Sequence, residues 1–202
     1  MSTLRIDQEG WNSGYLMTGE TYLWAQMFTT LETAFAVDKI QLLGSRSAGW
    51  TGVIHIGIRA ASGGRPTGSD LCSVEIAIET LWPYNAYNPT LSTDMAFTSR
   101  ASLAANTQYA AVWYETSGNN FYVCGGGSYN QGNPAGSLTR SFNGGASWQD
   151  LWSGSTAIKV WGDPAATGWA NIAKVNGITS SGLAKVNGIA VASIAKINGV
   201  AV

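Results

Sequence analysis

Apolar and polar residues alternate along this chain in short runs, each bounded by clusters of Gly, Ser, Asn and Pro. The clearest run is 53–59, where Ile54, Ile56 and Ile58 fall on one side and His55, Gly57 and Arg59 on the other. That is the two-residue period of an extended strand with one buried face. Residues 73–81 repeat it, with Val74, Ile76 and Ile78 inward and Glu75 and Glu79 outward. Residues 34–43 (AFAVDKIQLL) predict another strand. Further strands are expected over 94–100, 108–115, 121–124, 138–142 and 157–161.

The runs are separated by GSRSAGWTG, ASGGRPTGSD, ETSGNN, GGGSYNQGNPAG and FNGGAS. Short strands between such turn clusters predict an all-β sandwich or barrel. No stretch sustains a 3.6-residue period, so helix content should be low. Residues 1–20 are polar and glycine-punctuated, with Trp11 and Tyr15 as their large anchors, and read as an arm or an irregular first strand. The body then runs over 21–162, and 163–168 (DPAATG) link it to a C-terminal tail.

Residues 169–202 are three copies of one eleven-residue unit, WANIAKVNGIT, SSGLAKVNGIA and VASIAKINGVA, with Val202 left over. Lysines recur at Lys174, Lys185 and Lys196, and each copy carries an Asn-Gly pair two residues later. Glycine is unfavourable in a helix by about 1 kcal/mol relative to alanine. Asn-Gly between β-branched residues instead marks a two-residue hairpin turn, because both turn positions need φ > 0. Val175 should then face Ile178, Val186 face Ile189, and Ile197 face Val200. Ile172, Leu183 and Ile194 share the opposite side with the lysines. Both faces are apolar, the tail has no Asp or Glu, and two-stranded ribbons are marginal alone in water. These nine residues are therefore the expected assembly interface; the alternative is a flexible low-complexity appendage.

Composition narrows the choice of partners. The chain has 202 residues, 45% hydrophobic and only 11% charged, with 25 Gly, 9 Trp and net charge −1. Charged residues make up about 25% of an ordinary soluble domain, so the polar surface must come from Ser, Thr, Asn, Gln and Gly. Near-zero charge argues against nucleic acid, which requires clustered Lys and Arg. No run of 18 apolar residues spans a membrane, and residues 1–15 lack the apolar core of a secretion signal. Cys72 and Cys124 are too few for a disulfide framework; one bridge or two buried thiols are the alternatives.

Taken together, QMFTT at 26–30, the strand ending at 43, GRPTGSDL at 64–71, LAANTQYAAVWY at 103–114, SFNGGASW at 141–148 and AIKVWG at 157–162 resemble a jelly-roll β-sandwich module. That module recurs in bacteriophage virion proteins and in some extracellular carbohydrate-associated proteins. The IAKVNG units look like repeats found at the ends of phage structural proteins. The resemblance spans roughly residues 21–202 and carries no invariant catalytic set. In the module an acidic residue often precedes the two glycines of the SFNGGASW stretch; Asn143 stands there, which weakens any expectation of a metal.

Candidate chemistry is sparse. His55 is the sole histidine, which removes most metal and triad arrangements. It is expected on the outer strand face beside Arg59 and near Glu75 or Glu79, as an ordinary surface histidine. Glu75 and Glu79 read as a solvated pair rather than as glycosidase carboxylates. The GGRPTG and GGGSYNQG loops lack the Gly-Lys-Ser/Thr of a phosphate cradle. Aromatics are richer: Trp82, Tyr84 and Tyr87 crowd LWPYNAYNP, while Trp50 and Tyr129 occupy glycine-rich loops. Exposed aromatic faces beside Asn and Gln could stack on sugar rings, or pack the sandwich ends or an interface. Trp113, Trp148 and Trp161 are expected in the core.

These features predict a non-enzymatic, cofactor-free structural protein of a phage-like particle, either capsid decoration or a tail or fibre component. Its sandwich would be displayed on the virion's outer surface after assembly in the host cytoplasm, and its tail would trimerise or dock on other virion proteins. The alternative is a receptor-recognition or adhesin module that binds cell-surface glycan.

Overall fold

A computed structural model describes residues 3–8, 13–17, 22–46, 48–82, 90–118, 121–126, 138–150 and 155–164, together with six short tail strands between 174 and 201. The protein is an all-β, jelly-roll-like antiparallel sandwich followed by a β-rich repeat tail. Numbering strands along the chain, one eight-stranded sheet contains β1 (Thr3–Gln8), β2 (Ser13–Met17), β4 (Phe35–Ser45), β7 (Thr90–Leu91), β8 (Met95–Leu103), β10 (Phe121–Gly126), β13 (Ser155–Thr156) and β14 (Ile158–Pro164). A six-stranded sheet contains β3 (Leu23–Thr29), β5 (Gly52–Ser62), β6 (Arg65–Ala77), β9 (Gln108–Gly118), β11 (Leu138–Ser141) and β12 (Gln149–Asp150), in the order β12-β11-β3-β9-β5-β6. The chain crosses between sheets at most connections, from β3 to β4 to β5 and from β8 through β9 and β10 to β11.

Burial explains why the strands take these registers. Ile54, Ile56 and Ile58 are all fully buried, and across the pairing they meet Ile76, Val74 and Cys72 on β6. Each fully buried isoleucine contributes about 1.5–3 kcal/mol relative to exposure, and a one-residue slip would expose all three. They face Trp24, Phe28 and Trp113 of their own sheet and Phe35, Val37, Ile40, Leu42, Met95, Ile158 and Val160 of the other. The β5–β6 turn is Gly63-Gly64, both with positive φ (59° and 74°), closing on the pair Ser62↔Arg65. Positive φ at both central residues matches the right-handed strand twist and favours glycine.

Several expectations are corrected. The strand foreseen over 73–81 ends at Ala77; Ile78–Leu81 is one helical turn, α1, that buries Ile78 and Leu81 three residues apart. Glu75 and Glu79 therefore do not share a strand face. The N-terminal twenty residues supply two strands, β1 along β14 and β2 along β10. Trp113 is in the core as expected, whereas Trp148 packs on the outer face of the six-stranded sheet and Trp161 lies half-buried under Lys39, whose Nζ is 5.2 Å from its ring centre. Cys72 is free and buried, and burial pushes its thiol up to about 12.

Two long bulges, each of four residues against one, interrupt the sandwich. On β6, Gly68 to Leu71 stand opposite the single Arg59 of β5, between the pairs Ile58↔Cys72 and Ala60↔Thr67. On β8, Phe97 to Arg100 stand opposite Asp38 of β4, between Val37↔Ala101 and Lys39↔Ala96. Each excursion is tied back by an ion pair to the residue it bypasses: Asp70 to Arg59 at 2.5 Å, and Arg100 to Asp38 at 3.2 Å. The bulged strands meet where the sheets approach each other, with Thr98 Oγ1 donating to Ser73 O at 3.0 Å. Bulges bend strands and increase local twist, which suits sheets that curl toward one another.

The chain divides into two compact units, Met1–Asp163 and Pro164–Val202. In the second, β15 (Lys174–Val175) pairs with β16 (Ile178–Thr179), β17 (Lys185–Val186) with β18 (Ile189–Ala190), and β19 (Lys196–Ile197) with β20 (Val200–Ala201). All three are antiparallel, and the register Val175↔Ile178, Val186↔Ile189 and Ile197↔Val200 is the one the repeat predicts.

Candidate functional site

Charged groups gather on the outer face of the six-stranded sheet, where β5 lies between β6 and β9. His55 sits in a cross-strand row with Glu75 on one side and Tyr114 on the other. Its ring stacks on Tyr114 with centroids 4.6 Å apart and planes 21° apart. His55 Nε2 lies 2.7 Å from Asp70 Oδ2, and Nδ1 lies 3.5 Å from Glu75 Oε1. Arg59 Nε donates to the other Asp70 oxygen. His55 is thus not the surface histidine expected from the sequence: it is 9% exposed and held between two carboxylates.

The β6 bulge delivers Asp70 to this place. Gly68 takes φ 69° at its start, and the excursion carries Asp70 across β5 above Gly57. The strand's outward side chains at 55 and 59 then flank the carboxylate. The hydrogen bond to Asp70 is the main reason the His55 pKa is raised, with Glu75 adding to it against the effect of burial. Burial works to raise the Asp70 pKa, but hydrogen bonds and charge from His55 and Arg59 overcome it and hold the carboxyl below its ordinary value. Burial pushes the Tyr114 phenol up.

This arrangement is a clasp of charged groups across three strands. Both imidazole nitrogens are turned to carboxylates, and Asp70 is engaged by both His55 and Arg59. Among the described residues no group of three or more His, Cys, Asp or Glu is arranged to hold a metal ion. Alongside lies a second apolar cluster on the same outer face, Leu23, Ala25, Met27, Ala110 and Val112, with Ala61, Tyr114 and Trp148 packed against it. The turn leading to Trp148 is organised by Asn143, whose Oδ1 accepts from Ser147 N and Ser141 Oγ while its Nδ2 donates to Ser147 Oγ. An amide can play both parts; a carboxylate could only accept.

The aromatic candidates do not converge. Trp82 is 1% exposed, with its indole nitrogen donating to Thr90 O at 3.1 Å. Burial leaves it no face for a sugar ring, which corrects its assignment to a binding platform. Trp50 is half-buried against the main core. Tyr84, Tyr87 and Tyr129 lie outside the described residues, as do Ile172, Leu183 and Ile194 of the expected assembly interface. Val175, Ile178, Val186, Ile189, Ile197 and Val200 lie on the paired tail strands.

Asp70 and Tyr114 are not visible as site residues in the sequence. Asp70 belongs to GGRPTGSD, which reads as a turn, and Tyr114 falls in a strand without any local sign of its neighbour. The signal for Asp70 was Gly57, a missing side chain in the middle of an otherwise substituted outer face. No protein-family model matches the chain, and no curated protein matches it in sequence.

Proposed function

We propose that the chain is a non-enzymatic structural component of a phage-like particle, with the β-sandwich displayed outward and the three C-terminal hairpins joining copies into a trimer or docking them on other virion proteins. The observation that carries this reading is the tail: three hairpins of one register, repeated at an eleven-residue interval, in a unit distinct from the body. Each hairpin strand is two residues long, too short for a two-stranded ribbon to be stable alone in water. The repeated Lys-Val/Ile and Ile/Val pairs put apolar positions on every copy, and a threefold axis lets three tails cover one another with a closed interface.

Deleting 164–202 is the test. The full chain should run as a trimer by mass in solution and enter particles; the truncated chain should be a folded monomer that fails to enter. A monomeric full chain with a protease-sensitive tail would overturn the trimer, and entry of the truncated chain into particles would overturn the reading as a whole. The glycan-binding alternative loses Trp82 and rests on Trp50, Tyr84, Tyr87 and Tyr129; a glycan array probed with the full chain decides it.

A further inference from the structure

The surface ion pairs of Arg65 with Asp150 and Lys39 with Asp94 satisfy themselves, and the Cys72 thiol is buried. The exposed side chains Leu4, Leu31, Leu71 and Phe142 come from separate elements. The His55 cluster is different, because its two carboxylates favour the protonated ring over the neutral one.

A carboxylate faces each ring nitrogen of His55, Asp70 at Nε2 and Glu75 at Nδ1. An imidazolium carries a proton on both nitrogens: one is donated to Asp70, and the other, on an Nδ1 that has no hydrogen-bond partner, points its charge toward Glu75 at 3.5 Å. Neutral imidazole carries one proton, so one nitrogen must then turn a lone pair toward a carboxylate. With Asp70 at the closer distance, the proton stays on Nε2 and the mismatch falls on Glu75. The charges agree. From β5 come His55 and Arg59, from β6 Asp70 and Glu75, and from β9 the neutral phenol of Tyr114; the nearby turn brings Gly145 toward Arg59 without a further charge. Two cations balance two carboxylates only while His55 is protonated.

We propose that His55 is a pH-sensitive latch: protonated, it holds Asp70 through a charge-assisted bond and attracts Glu75, and on losing its proton it gives up Glu75 and keeps Asp70 only through a neutral hydrogen bond, so that the 68–71 excursion is held less tightly onto β5. The sign follows from linkage. A histidine whose folded pKa lies above its ordinary 6.5 stabilises the clasped state in full below that value and ceases to do so as pH rises through the folded pKa. Asp70, held below its ordinary 3.8, sets the other side: its contribution is complete above that value and disappears as pH falls through the folded pKa. The latch is therefore tightest in mildly acidic solution.

His55 is the only histidine, so the two imidazole C–H signals in an NMR titration of the full chain both belong to it. The expected midpoint is above 6.5, moving down toward 6.5 in Glu75→Gln, made at a side chain that is 60% exposed. Amide protection at 68–71, corrected for intrinsic exchange, should fall by up to about tenfold per pH unit as pH rises through that midpoint. In His55→Gln it should stay flat; if that variant does not fold, the wild-type and Glu75→Gln titrations decide. A midpoint at or below 6.5, a midpoint unmoved by Glu75→Gln, or undiminished protection at 68–71 above the midpoint would each overturn the proposal.

Discussion

Gly57 and Asp70 compete for one niche: a Cβ built on Gly57 would stand 2.6 Å from Asp70 Cγ and 2.7 and 2.8 Å from its two oxygens. The absence of a side chain at 57 is what lets a residue of the neighbouring strand lie between His55 and Arg59. Gly57→Ala should push the carboxylate off both partners and destabilise the fold by about 1–3 kcal/mol, the range for leaving buried polar groups unmatched. In an Asp70→Ala background the same substitution should cost far less. A double-mutant cycle in urea measures the difference; additive effects would show that the niche is not shared.

Gly162 makes a sterner case. A Cβ there would overlap the Ala36 carbonyl oxygen and lie 2.5 Å from Phe35 Cδ2. The obstacle is backbone of β4, which cannot swing aside as a carboxylate can. Gly162→Ala should therefore cost about 3 kcal/mol, the upper end for overpacking, and more than Gly57→Ala in the same urea titration.

Trp82→Ala removes a buried indole and its hydrogen bond to Thr90, and should lower stability by about 3–5 kcal/mol. Thermal unfolding reads this directly. Because the side chain is inside, any ligand binding lost by this variant would report unfolding; Trp50→Ala is the cleaner probe of an aromatic platform.

Acid unfolding should carry the mark of Asp70. Its carboxyl stabilises the native state in full above its ordinary 3.8, and that contribution drains away as pH falls through the lower folded value. Asp70→Asn, which cannot titrate, should be less stable at about pH 5 and show a flatter decline below about pH 4. Parallel acid limbs in melting temperature for the two proteins would place the acid sensitivity elsewhere.

Strands with one buried face were legible because alternation writes burial into every second residue. Ile54, Ile56 and Ile58 went inward as read, and the tail registers followed from Asn-Gly spacing. What alternation hid were its own interruptions. On β4 the buried set is Phe35 and Val37, then Ile40 and Leu42, a change of phase that marks the bypass at Asp38 and was readable in AFAVDKIQLL. Ile78 kept its inward position while the chain beneath it changed from strand to helical turn, since both geometries bury it. His55 was expected near Glu75 or Glu79 and stands beside Glu75, but its burial depended on Asp70, fifteen residues away and brought near by an excursion no local pattern announces. Trp82 illustrates the converse: an aromatic in a Pro- and Asn-rich neighbourhood looks exposed until the rest of the sandwich closes over it.

The excursion at 68–71 also bears on how copies of this chain can live side by side. β6 is the outermost strand of its sheet and thirteen residues long, the length at which a stranger's strand could zip on and propagate. A kink partway along cuts the straight run open to such a visitor to Cys72–Ala77, and within it the Thr98 hydroxyl already occupies the Ser73 carbonyl. Crowded molecules thereby find a shorter border on which to adhere.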